Sequence, residues 1–148
     1  EHTPHTLAEK QKERVWEVAS GMPGIQETLP VVITNWVKQF GKNTLEEGLI
    51  RIAQVTSQNI ARIFGFAQKG GLLAGKDADI VVVDTTRSWK VKKEDLFTKN
   101  QWSAYAGMEL FGRPVATFLR GNMVYHEGKI LGEPRGKQLI RISEIEKG

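Results

Sequence analysis

A change of hydrophobic period near residue 70 limits what this chain can fold into more than any other feature. Up to Phe64, apolar residues recur at three- and four-residue spacing. Beyond Leu72 they come in short β-branched runs punctuated by glycine. The change falls inside Phe64–Asp84, where Gly70, Gly71 and Gly75 put three glycines in six residues and permit left-handed backbone and close chain approach. Asp77 and Asp79 then bracket a turn into Ile80-Val81-Val82-Val83. The pattern predicts a helical layer, a glycine crossing and a sheet layer, in that order.

In the helical part, Thr6 with Glu9 three residues on offers a capping box for a helix over 7–18, but the polar body 8–14 reads equally as a mobile loop, with only Val15, Trp16 and Val18 to bury. After the turn cluster Ser20-Gly21-Met22-Pro23-Gly24, the spacing of Ile25, Leu29, Val32, Trp36 and Phe40 predicts one buried helical face, stopped by Gly41. Pro30 sits near its start, where a missing N–H does least harm. Thr44-Leu45-Glu46-Glu47 reads as a second capping box, opening a helix that buries Leu45, Leu49, Ile52 and Ala53. Ser57 is expected to cap a short helix over Asn59–Phe64 that ends at Gly65.

In the sheet part, residues 78–83 read as a strand covered on both faces. Trp89-Lys90-Val91 reads as an edge strand. Residues 92–108 read as an irregular connection pinned to the core by Trp102 and Tyr105. Two apolar runs flanking Gly121-Asn122 signal a hairpin, and a second turn at Glu127-Gly128-Lys129 leads into Ile130-Leu131. Residues 136–142 are expected to add a short strand.

Composition narrows the function classes. The net charge is +4, but 21 Lys and Arg are scattered among 17 acids and only Lys90, Lys92 and Lys93 cluster. No aromatic residues interleave with them as a nucleic-acid stacking platform requires, so a solvated surface is the simpler account. The chain has no cysteine, which excludes disulfides, thiolate metal sites and thiol nucleophiles and fits a cytoplasmic setting. No apolar run approaches the roughly 20 residues that span a bilayer. The opening Glu1-His2-Thr3-Pro4-His5 is not a signal peptide, and the missing initiator Met suggests a fragment or processed piece.

Few residues can carry chemistry. Glu1, His2 and His5 form the densest polar group and could converge on a metal or an anionic substrate, although an exposed terminus accounts for them as well. His126, between Tyr125 and Glu127 in a strand, reads as a surface residue. Asp77, Asp79 and Asp84 could be imagined as a metal cluster, but Asp77 and Asp79 more simply satisfy backbone N–H groups in the turn. Gly70-Gly71 lacks the Lys-Ser/Thr of a phosphate loop. Ser20 has no His and Asp nearby to activate it, and Ser57 is better used as a helix cap than as a nucleophile.

Taken together, Glu1 to Thr6, Ser20 to Pro30, Thr56 to Gly65, Lys69 to Asp84 and Leu119 to Tyr125 resemble the C-terminal third of a cyclic amidohydrolase of the dihydroorotase branch. The first of these is similar to that family's Asp-His-Ala-Pro-His segment after the last barrel strand. The resemblance implies an α/β fold: the C-terminal fragment of a distorted (β/α)8 barrel followed by a small antiparallel β-sandwich portion. Residues 1–68 would supply the last barrel loop and closing helices, and residues 69–148 the strands of the composite sandwich and the tail. Active sites on such barrels lie at the C-terminal ends of the strands, where residues 1–5 would sit.

By the same resemblance, Glu1 takes the place of the aspartate that contacts the metal and shuttles a proton from the attacking water to the leaving amide nitrogen. His5 matches a histidine that binds the substrate carboxylate, and Gly21 a backbone position beside the substrate ring. Glu for Asp is a departure, and one extra methylene displaces a proton-transfer group by about an ångström, enough to cost on the order of a hundredfold. Zinc is the implied cofactor of the intact enzyme, but its other ligands belong to upstream segments, so this fragment by itself is expected to be inactive and to hold no zinc. The implied partners are a small cyclic amide, the rest of the barrel, and either further copies or a transcarbamoylase; neither nucleic acid nor membrane is implied. Allantoinase and hydantoinase are the neighbouring alternatives. A non-catalytic scaffold for a transcarbamoylase, or a plain interaction module, would be a reading of another class.

Overall fold

The structure is a computed structural model that describes residues 2–141. Four helices precede a four-stranded sheet: α1 (Leu7–Lys10), α2 (Thr28–Phe40), α3 (Leu45–Ala53), α4 (Asn59–Phe64), β1 (Ile80–Lys90), β2 (Glu109–Leu119), β3 (Asn122–His126) and β4 (Lys129–Ile130). The strands lie in the order β1-β2-β3-β4, with β2–β3 and β3–β4 antiparallel. This is the mixed helix-then-sheet division that the change of period predicts. The chain groups into two compact units. One gathers the chain up to Thr34 with Thr85–Arg113, and the other gathers Asn35–Asp84 with the chain from Pro114 onward.

In the first unit, Val91, Leu96 and Leu110 form a buried cluster with Val31, Trp89 and Tyr105 packed on it. Ile33 is fully buried, and Gly112 explains how. Its φ is +79°, and a Cβ there would lie 3.1 Å from Ile33 Cγ2, so the bare backbone admits the isoleucine. Thr34 then ties helix to strand, donating to the Pro30 carbonyl (2.7 Å) and accepting from the Phe111 N–H (2.8 Å). These contacts turn Pro30, Ile33 and Thr34 inward. The expected face of Ile25, Leu29, Val32, Trp36 and Phe40 is therefore not the most buried one; Ile25 precedes the helix and is 73% exposed.

The helix expected over 7–18 is much shorter. Thr6 and Glu9 do form the capping box, but α1 ends at Lys10. A 3-10 turn at Val15–Glu17 leaves Trp16 92% exposed, because no neighbouring element in this unit covers it.

In the second unit, Gly41 (φ +90°) ends α2, as its sequence position implies. The Thr44 box does not form. The Thr44 hydroxyl is engaged elsewhere, accepting from the Trp36 indole (3.1 Å) and reaching the Gly41 carbonyl (3.0 Å), and makes no cap to the helix amides. The indole packs so close to Gly48 that a Cβ there would fall 2.5 Å from Nε1. Of the expected buried residues on α3 only Ile52 is buried, with Gly48 beside it; Ala53 is exposed. Ser57 caps nothing, because a π-helical segment, Gln54–Gln58, joins α3 to α4 without a break. Gly65 ends α4 in the left-handed conformation.

The glycine crossing earns its residues by contact. Gly70 has φ +84°, and a Cβ there would sit 2.6 Å from Ala61 Cβ. β1 runs unbroken through both stretches that the sequence divides into a core strand and an edge strand. It is not covered on both faces: Val81 and Val82 are 47% and 44% exposed, as the terminal place of β1 in the strand order allows. The β2–β3 hairpin turns on Arg120-Gly121, one residue earlier than Gly121-Asn122, with φ of +48° and +78°. Two positive φ values match the twist that tight hairpins need. Glu127-Gly128 repeats the device before β4. Residues 131–141 form no strand, and Ile142 lies outside the described residues.

Candidate functional site

The segment 2–5 lies against the turn 21–24 and is held there mainly through its backbone. Thr3 N–H donates to the Met22 carbonyl (3.1 Å), and Gly24 N–H donates to His2 Nδ1 (3.3 Å). Gly21 has φ +92°, and a Cβ on it would come within 2.4 Å of Thr3 Cβ, so only glycine lets the two stretches meet. Lys10 braces the turn from the end of α1, its ammonium donating to the Gly21 carbonyl (2.9 Å) and to that of Ala19. His5 N–H donates to the Thr3 carbonyl (2.9 Å), placing His5 at the end of this braced segment.

His5 is half-buried, and its Nδ1 lies 3.6 Å from Glu9 Oε1. The Glu9 carboxylate accepts from the Thr6 hydroxyl (2.6 Å) and the Thr6 N–H (2.7 Å). Those Thr6 bonds, the hydroxyl first, outweigh the opposing effect of burial and hold the Glu9 carboxyl below the usual glutamate range.

Of the residues that the sequence suggests, His5 and Gly21 are thus brought into one assembly through Thr3. Glu1 lies outside the described residues. His126 is exposed on β3, as its sequence position implies. Asp77 and Asp79 serve a different purpose. Lys69 lies 2.7 Å from Asp77 and also pairs with Asp79, whose other oxygen accepts from the Arg120 N–H (2.8 Å). The aspartates therefore hold the glycine crossing to the hairpin, reaching well beyond the turn they stand in. Burial alone pushes the Asp79 carboxyl up, but the Lys69 and Arg120 bonds together prevail and hold it below the usual range. Among the described residues, no three His, Cys, Asp or Glu side chains gather as a metal ion requires. Glu1, the residue that the resemblance places at the metal, lies outside the described residues.

Sequence order gives no hint of two further contacts. Trp102 Nε1 donates to the His5 carbonyl (2.7 Å), a partner 97 residues away, so Trp102 reaches the His5 segment and is not simply a core pin. Asn100 donates to the Pro4 carbonyl. Tyr105 does pack on the core, as expected.

Residues 31–124, well over half of the chain, match the sequence profile of the Amidohydrolase family. The chain belongs to this family. It is 32% identical over 144 residues to a dihydroorotase of Pyrococcus furiosus, covering 95% of this chain and 31% of that one. It is 34% identical over 137 residues to an allantoinase of Rubrobacter xylanophilus, covering 93% and 29%. In three dimensions it is similar to a D-hydantoinase (dihydropyrimidinase) from a Thermus species, with a TM-score of 0.77 and 28% identity over 89% of this chain and 28% of that one. This amidohydrolase chain spans about a third of the length of the relatives it matches. No helix among its described residues is long and apolar enough to cross a membrane.

Proposed function

We propose that this amidohydrolase chain is the C-terminal part of a dihydroorotase that interconverts N-carbamoyl-aspartate and dihydroorotate. The observation that carries the reading is the seating of Thr3, two residues before His5, on the Gly21 turn. It holds the two residues with substrate roles in the resemblance in one assembly. Dihydroorotase names among the relatives support the same choice.

In this reading, residues 1–68 are the last barrel loop and closing helices, and residues 69–148 the strands of a composite sandwich. His5, half-buried on a braced segment, offers an imidazole to the carboxylate of the substrate, and the backbone at Gly21 faces the ring. Glu1, at the head of the same segment, takes the proton of the attacking water and returns it to the amide nitrogen as the ring opens, and the reverse as it closes. Zinc, as cofactor of the intact enzyme, would be held by upstream ligands with Glu1 in contact, and would supply carbonyl polarisation and water activation. A cytoplasmic setting, and assembly with the rest of the barrel, with further copies or with a transcarbamoylase, belong to the same reading.

Hydantoinase or allantoinase activity is the second reading, favoured by the Thermus fold match and the Rubrobacter relative. The test is to assay the protein that carries this chain with dihydroorotate, allantoin and hydantoin. Turnover of dihydroorotate in preference to the other two is expected. Opening of allantoin or hydantoin with none of dihydroorotate would overturn the choice, and absence of all three would favour the scaffold.

A further inference from the structure

We infer that Trp102 is a positioning residue that sets where His5 presents its imidazole, an inference that rests on His5 being the substrate ligand proposed above. An indole offers one donor and no acceptor, and this one is committed to the His5 carbonyl at 2.7 Å.

The donor is fixed before it meets the loop. Val91 and Leu96, which flank the start of the 92–108 connection, are buried in the core cluster. The Gln26 side chain clasps the connection from the other side, donating to the Asp95 carbonyl (2.8 Å) and accepting from the Phe97 N–H (2.9 Å). Ser103, next to Trp102, is buried and accepts from the Tyr105 N–H (3.0 Å). Gly107 and Met108 close the connection with backbone bonds to Val91, both 2.9 Å. Trp102 therefore stands on an anchored frame.

On the loop side, Pro4 has no N–H to give. Its carbonyl and that of His5 are both held by donors from the connection, Asn100 and Trp102, two positions apart. Trp102 thus fixes the His5 backbone, while Glu9 faces the ring at 3.6 Å. A side chain that only filled space would not need its polar edge on this carbonyl. A ligand held at both ends is set to the sub-ångström precision that binding geometry demands.

The test is a double-mutant cycle on the protein that carries this chain, with Trp102→Phe, His5→Ala and the pair, read by initial rates of dihydroorotate ring opening. Trp102→Phe keeps the ring and removes the donor. It should raise KM by about three- to tenfold, the usual worth of a lost part-buried hydrogen bond, with kcat changed less than about twofold. In the His5→Ala background it should add less than about twofold, whereas a merely structural role would multiply the two effects.

If His5→Ala raises KM and Trp102→Phe does not, the positioning role fails and the reading of His5 stands. If His5→Ala leaves KM unchanged, the reading of His5 fails and takes the inference with it. If dihydroorotate is not turned over, the cycle is run on whichever of allantoin and hydantoin is. If none is, limited trypsin cleavage after Lys10 and Lys12 decides: several-fold faster nicking in Trp102→Phe supports the clamp, and an unchanged rate overturns it.

Discussion

Replacing Asp79 by Asn should loosen the β2–β3 hairpin by an amount that the structure bounds. Asp79 accepts from the Arg120 N–H at 2.8 Å and pairs with Lys69, and the neighbouring Gly121 N–H bonds the Ala78 carbonyl at 3.0 Å. Asparagine keeps an oxygen for Arg120, now in a neutral bond, and loses the bond to Lys69, because its amide nitrogen donates and cannot accept. Charge-assisted bonds are worth about 1.5–3 kcal/mol and neutral ones about 0.5–1.5. The Asp79 side chain is 33% exposed, which moves the figure toward the low end. A loss of about 1–2 kcal/mol corresponds to a 5- to 30-fold rise in local opening.

Hydrogen exchange on peptides spanning 115–126, read by mass spectrometry in the protein that carries this chain, measures that rise. The pH dependence gives an independent check. Because the native Asp79 carboxyl is held below its ordinary value, its contribution is fully present above about pH 4 and is lost as pH falls through the lowered native value. The protection factors of wild-type hairpin amides should fall in that acid window, and those of Asp79→Asn should not show this component. Lys69 gives the opposite sign. Burial alone would lower its ammonium, but Asp77 and Asp79 prevail and raise it, so its contribution holds below its ordinary value of about 10.4 and is lost as pH rises through the raised one. Exchange within about twofold of wild type in Asp79→Asn would refute the reasoning and reduce the Lys69 cluster to a solvent-screened surface pair.

Gly21→Ala would put a Cβ 2.4 Å from Thr3 Cβ at a φ of +92°. It should cut activity by on the order of a hundredfold through displacement of residues 2–5, and Thr3→Gly in the same chain should restore part of it; rates of the two variants check this. Gly70→Ala would set two methyl groups 2.6 Å apart at a φ of +84°, and should cost about 2–3 kcal/mol in denaturant unfolding, with partial relief from Ala61→Gly. Acid should fray α1. Glu9 is held low chiefly by the Thr6 hydroxyl, so the box is intact above the ordinary glutamate value of about 4.5 and is lost as pH falls through the lowered native value; faster cutting at residues 7–12 by a protease active in acid would report the fraying, and Thr6→Ala should reduce its pH dependence.

Local chemistry was legible in the residues themselves. The Thr6–Glu9 box, the stops at Gly41 and Gly65 and the hairpin around Gly121 each depend on backbone preferences and partners within a few positions. So did the switch from helical to strand period at the glycine crossing. The same local logic misjudged Thr44, because Trp36 claims its hydroxyl, and it misjudged the inward face of α2, because Gly112 opens a seat for Ile33. It could not reach the bond from Trp102 to His5, whose partners are 97 residues apart. What the sequence determined alone is which residues turn, cap and break; what tertiary structure decided is which polar group meets which. A hydroxyl, an indole N–H or a carboxylate has several equally good partners in water, and only the packed chain leaves it one.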